Sequence, residues 1–182
     1  MAQGDVGIYA SQISGHLWAP QGAYDALATV TVPSGGVASV SFTGIPTGYK
    51  HLQIRAIYET VTNADNIGLT LNGSTAPSRT HYLFGNGSSV TAGSTTQNLI
   101  TIQAGLSTTS YYGMVIDILD YADTNKNKTL RVLGGGDFNG AGVVFLDSAL
   151  YSTTSAVSSL SLQTVGSQTI AQYSQFALYG IK

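Results

Sequence analysis

The chain has no cysteine among its 182 residues. A disulfide framework, a zinc–thiolate centre and a cysteine nucleophile are therefore excluded. Charge is scarce as well: Asp, Glu, Lys and Arg make up 9% of the residues, against about 25% in an ordinary soluble domain. The net charge of −2 gives no field to gather nucleic acid or an anionic membrane surface. No apolar run approaches the roughly 18 residues of a membrane span. The opening MAQGDVGIYASQISGHLW has neither a basic segment nor an apolar core, so no secretory signal is visible. The expectation is a protein made in the cytoplasm, with neither membrane nor nucleic acid as partner.

Chemical motifs are absent too. His16, His51 and His81 lie far apart, and no HExxH spacing occurs. His51 and His81 could share a site only if their strands were neighbours. No GxSxG marks a serine nucleophile. VLGGGDFNG is glycine-rich, but no GK[ST] closes it as in a phosphate loop. Gly134, Gly135 and Gly136 read as a turn or bulge. The triplets at Asn72, Asn86 and Asn127 match a glycosylation acceptor but, with no secretion signal, imply only turn chemistry. No catalytic residue, metal ligand or cofactor is expected.

What is present is a β pattern. Ser, Thr, Gly, Asn and Gln supply the polarity, and copies with so little charge repel one another weakly, which suits a close-packed assembly. YDALATVTV (24–32), VASVSF (37–42) and KHLQIRAIY (50–58) alternate in strand period. In the third, Leu52, Ile54, Ala56 and Tyr58 share one face, and His51, Gln53, Arg55 and Ile57 the other. Further strands are expected at 67–72, 79–84, 98–103, 111–121, 128–134, 141–151, 156–164 and 173–181. The last leaves both faces largely apolar, as for a well-paired strand. No window reads as a long amphipathic helix. The expected fold is all-β: an antiparallel β-sandwich of jelly-roll type over residues 24–182.

Residues 1–23 differ. They show no sustained period and carry Ile8, Tyr9, Ile13, Leu17 and Trp18. They read as an extended N-terminal arm whose apolar residues contact a partner. Trp18, the single tryptophan, is a large group that gains from being covered.

The stretch MVIDILDYADTNKNKTLRVLGGG (114–136) decides between an enzyme and a structural protein. Asp117 and Asp120 could be paired carboxylates. On one strand, however, residues three apart point to opposite faces, so the two acids do not converge. Asp117 is placed to meet Arg131 across a hairpin. Asp120, at the strand end, is placed to accept hydrogen bonds from turn amides. The other open reading is carbohydrate binding, suggested by the 11 tyrosines, among them Tyr58, Tyr82, Tyr111 and Tyr112.

VPSGGVASVSFTGIPTGYKHLQIRAIYE (32–59), HYLFGNGSSV (81–90), IDILDYADTNKNKTLRVLGG (116–135) and AQYSQFALYGIK (171–182) together resemble a family of small virion structural proteins of tailed bacteriophages, abundant in phages of cyanobacteria and other aquatic bacteria. The resemblance implies a non-enzymatic virion component and carries no functional residues with it. A capsid decoration (cement) protein fits best. It would form a homotrimer and bind the major capsid protein or other virion proteins. The alternative is a tail- or head-fibre module that binds host-surface carbohydrate. No heptad or short repeat for a fibre shaft appears.

Overall fold

The computed structural model describes residues 22–61, 65–74, 76–102 and 110–182. Twelve strands and no helix occur among them. They are β1 (Tyr24–Thr31), β2 (Ser39–Thr43), β3 (His51–Tyr58), β4 (Ile67–Leu71), β5 (Ser78–Gly85), β6 (Val90–Gln97), β7 (Ile100–Ile102), β8 (Tyr112–Leu119), β9 (Lys128–Asp137), β10 (Gly142–Tyr151), β11 (Ser159–Thr164) and β12 (Gln175–Ile181).

Two antiparallel sheets form a sandwich. One has eight strands in the order β1-β12-β3-β8-β9-β10-β5-β6, and the other four, β2-β11-β4-β7. Eight of the strands pair in nested fashion: β1 with β12, β2 with β11, β3 with β8, and β4 with β7. That nesting is a long hairpin rolled into two sheets, the jelly roll. The hairpins β5–β6 and β9–β10 are additions to it, lying side by side and extending one sheet beyond the roll. At the tip of β9–β10, Asn139 and Gly140 both take positive φ, the conformation of a tight hairpin turn.

The core lies between the sheets. Leu52, Ile54, Ala56 and Tyr58 of β3 are all buried, as the alternation implies. They meet inward residues such as Phe42, Leu69 and Leu162 of the small sheet, also buried. Each such aliphatic side chain contributes about 1.5–3 kcal/mol. β12 lies between β1 and β3 with Phe176 and Leu178 buried, so the last strand is paired on both edges.

Two local findings differ from the sequence reading, and a third, at Lys128, was not anticipated by it. Gly134, Gly135 and Gly136 are not a turn; they continue β9 in register with β10. A Cβ on Gly134 would collide with the Phe145 ring, and one on Gly135 with the Val143 carbonyl, so these glycines make room for neighbours rather than bending the chain. β6, VTAGSTTQ, is a strand that the alternation of apolar residues does not reveal. Lys128 begins β9 with its side chain fully buried. Its ammonium donates to the carbonyls of Asp123, Lys126 and Thr154 and ties the 120–127 loop to the body. Asn86 does the expected turn work, accepting from the amides of Ser88 and Ser89. Asn72 takes a positive φ in its turn, but its side chain reaches across to the start of β11, where it accepts from the amides of Ser158 and Ser159.

Candidate functional site

Residues opposite one another on neighbouring strands form rows across a sheet, and each row points to one face. Three rows build the outer face of the eight-stranded sheet. The first runs Ala177, Arg55, Val115, Leu133, Leu146, Leu83. On one side of it lies Ile57, Gly113, Gly135, Val144, Gly85, Val90. On the other lies Tyr179, Gln53, Asp117, Arg131, Ser148, His81.

The first two rows form an apolar band. Ile57, Leu83, Leu133, Val144, Leu146 and Val90 are between 48% and 72% exposed. Single exposed aliphatics are ordinary, but six on one face form a contiguous patch of the kind that marks an interaction site. The intervening Gly113, Gly135 and Gly85 keep the surface low, so a partner can approach closely.

The third row is polar and cross-linked. Arg55 Nε donates to Gln53 Oε1 at 2.8 Å, and Gln53 Nε2 donates to Asp117 Oδ1 at 2.8 Å. Arg131 Nη2 stands 3.8 Å from Asp117 Oδ2. The Arg55 guanidinium also lies over two rings, 5.0 Å from the Tyr24 centroid and 4.9 Å from that of Tyr179. A guanidinium gripped by two aromatic faces and an amide is fixed before any ligand arrives. Arg55, Ile57, Val115, Leu133, Ala177 and Tyr179 line a shallow groove of about 390 Å³. A second one, of about 630 Å³, is lined by His81, Leu83, Ala92, Ser94, Leu146 and Ser148.

Asp117 meets Arg131 across β8 and β9 as expected. Asp120 behaves differently from its expected role. Its carboxylate takes the Lys126 ammonium instead of turn amides, and its own N–H donates to His51 Nδ1 at 2.9 Å. The same nitrogen stands 3.4 Å from Asp120 Oδ1. The turn amide goes to Asp123, which accepts from Asn125 N–H at 2.7 Å. Lys126 holds Asp120 below the usual carboxylate range, and the Asn125 amide does the same for Asp123.

His51 and His81 lie on β3 and β5, four strands apart in the sheet, and share no site. Of the tyrosines that suggested sugar contact, Tyr58 and Tyr112 are buried and stack on each other at 5.6 Å. Tyr111 is exposed and donates to the Gln172 carbonyl. No group of three or more metal-ligating side chains occurs among the described residues. The arm residues Ile8, Tyr9, Ile13, Leu17 and Trp18 lie outside the described residues.

No family model matches the chain, and no curated protein does. Among solved structures, it is similar to the crystal structure of Caenorhabditis elegans galectin LEC-6. The likeness covers 85% of this chain and 95% of that one, at 10% identity and a TM-score of 0.37. A match that distant carries no argument about the site.

The outward direction of Arg55, Arg79 and Arg131 was implicit in strand parity. That they share one surface needed the strand order.

Proposed function

We propose that this chain is a non-enzymatic structural protein of a phage virion: a decoration protein that binds and stabilises the capsid as a homotrimer. The observation that carries this reading is the apolar band on the outer face of the eight-stranded sheet. An exposed band of that extent gains from being covered, and the sparse charge of the chain lets copies or shell subunits approach. The band reaches the edge strand β6, which carries no charged residue and no proline to discourage pairing. The resemblance to small virion proteins supports the same reading, and the apolar arm supplies a second contact with the shell. A catalytic role has little support, because Asp117 is engaged by Gln53 and Arg131, and Asp120 by Lys126.

Imaging of the intact virion tests the reading. Density for this chain on the head, around threefold or quasi-threefold positions, is the expected result. Density confined to the tail tip would replace it with the second reading, a fibre module that binds host-surface carbohydrate. The second reading has its own support in the Arg55, Tyr24 and Tyr179 cluster.

A further inference from the structure

The chain has three arginines and four lysines. All three arginines project from the outer face of the eight-stranded sheet, and all are exposed. None of the lysines joins them. Lys50 and Lys126 sit in loops, Lys128 is buried, and Lys182 follows β12 and pairs with Asp25.

Sheet register places the arginines on one line. Arg55 faces Val115 and Leu133; the next outward residues on β8 and β9 are Asp117 and Arg131. Arg131 faces Ser148 and His81; the next outward residues on β10 and β5 are Leu150 and Arg79. Each step from Arg55 to Arg131 to Arg79 is two strands across and two residues along. With strands about 4.8 Å apart and about 3.4 Å per residue, the Cα atoms are about 12 Å apart at each step. Asp117 is the one acid beside the line. This half of the face therefore carries a net +2 inside a chain of net −2, and the remainder carries −4.

We infer that this arginine diagonal is a binding track for an acidic polysaccharide that bears one anionic group about every second sugar. Arginine, unlike lysine, offers a planar fork that takes a carboxylate or sulfate through two parallel bonds. Arg55 is already immobilised by Gln53, Tyr24 and Tyr179. Arg79 makes no ion pair or side-chain hydrogen bond among the described residues, and Arg131 has only the long contact with Asp117. Ser148, His81, Ser94 and Thr129 lie between and beside the arginines, and their groups suit hydroxyls. Nucleic acid fits less well. Its phosphates are far denser than the arginines, and the negative remainder of the chain repels a dense polyanion. The inference does not depend on whether the protein sits on the head or in a fibre, but it requires that whatever covers the apolar band leave the arginine side of the same face open.

Titration of the full chain with hyaluronate oligomers, neutral dextran and duplex DNA tests it. Hyaluronate, with a carboxylate on every second sugar, is expected to bind, and more weakly as salt rises from about 50 to about 200 mM, through screening. Arg79→Gln and Arg131→Gln should each lower its affinity about tenfold, the scale of a charge-assisted bond. Lys126→Gln should leave it unchanged. Failure of hyaluronate to bind, equal binding of neutral dextran, tighter binding of duplex DNA, or an equal loss in Lys126→Gln would each overturn the inference. Intact affinity in both arginine variants would do so as well. These exposed positions are not needed for folding, and a thermal melt of each variant verifies that. The location of the chain on the virion is decided separately, so either proposal can fail alone.

Discussion

Asp117 on β8 and Arg131 on β9 face each other directly, yet the stronger partner of the carboxylate is Gln53 on the opposite neighbouring strand. The Gln53 contact is 2.8 Å and part-buried, whereas the arginine contact is 3.8 Å and largely in solvent. The two partners should therefore respond unequally to mutation. Arg131→Gln removes an exposed ion pair, worth less than about 1 kcal/mol. Asp117→Ala strands the Gln53 amide and should cost about 1–3 kcal/mol. Urea denaturation of both variants measures the difference; equal losses would show that the ion pair dominates.

Lys128 should be among the most sensitive single positions. Its ammonium satisfies three carbonyls from two separate loops. Lys128→Met keeps the volume and strands those carbonyls, at a cost of about 3 kcal/mol or more. The midpoint of chemical denaturation should fall accordingly, and a near-neutral result would contradict the clamp.

Glycines on neighbouring strands give a matched pair. A Cβ on Gly134 would meet the Phe145 ring and the Gly113 carbonyl, whereas one on Gly113 meets nothing within 4 Å. Gly134→Ala should destabilise by about 1–3 kcal/mol, and Gly113→Ala should be neutral or slightly stabilising. Thermal melts that rank the two the other way would mean that β9 can shift away from β10.

Acid should loosen the 120–127 loop first. Asp120 and Asp123 have folded pKa values below the usual carboxylate range, the first through Lys126 and the second through the Asn125 amide. A lowered acid stabilises the fold above its unfolded value, about 3.9, and that stabilisation is lost as pH falls through the folded value. Between about pH 5 and pH 2, the protection factor of the Asn125 amide, corrected for the intrinsic exchange rate at each pH, should fall before that of Ile116. Simultaneous loss of protection would refute a local event.

Self-association through the apolar band predicts that Leu133→Asp combined with Leu146→Asp yields monomers. Both side chains point to solvent within the chain, so the fold should persist. Light scattering at micromolar concentration reads the outcome, and a trimer that survives the double substitution would place the contact elsewhere.

Most strands were legible because inward apolar residues recur every second position, as in Met114, Ile116 and Ile118 of β8. β6 was not. After Val90 it is an edge strand of Thr, Ser, Gly, Ala and Gln, exposed along most of its length, and a strand that buries neither face prints no alternation. Gly134–Gly136 misled because glycine signals freedom to turn, whereas here it signals crowding, by the Phe145 ring at Gly134, the Val143 carbonyl at Gly135 and the Phe138 and Tyr112 rings at Gly136. The arginine diagonal was out of reach for a different reason. Parity gives the face of each arginine, but their alignment depends on β5 lying next to β10, a pairing between hairpins that are remote in sequence.

The jelly roll also fixes how force would pass through the molecule. Ala23 and Lys182 meet at one corner, where the Lys182 N–H donates to the Ala23 carbonyl. β6, the far edge, lies seven strand spacings away, about 34 Å. A pull that enters beside β1 and leaves through β6 runs across the strands, along the hydrogen bonds themselves. Such a load opens a ladder one bond at a time instead of shearing all of its bonds together. A subunit held only at these two edges would unzip under tension, and only lateral support on its broad face would let it act as a brace.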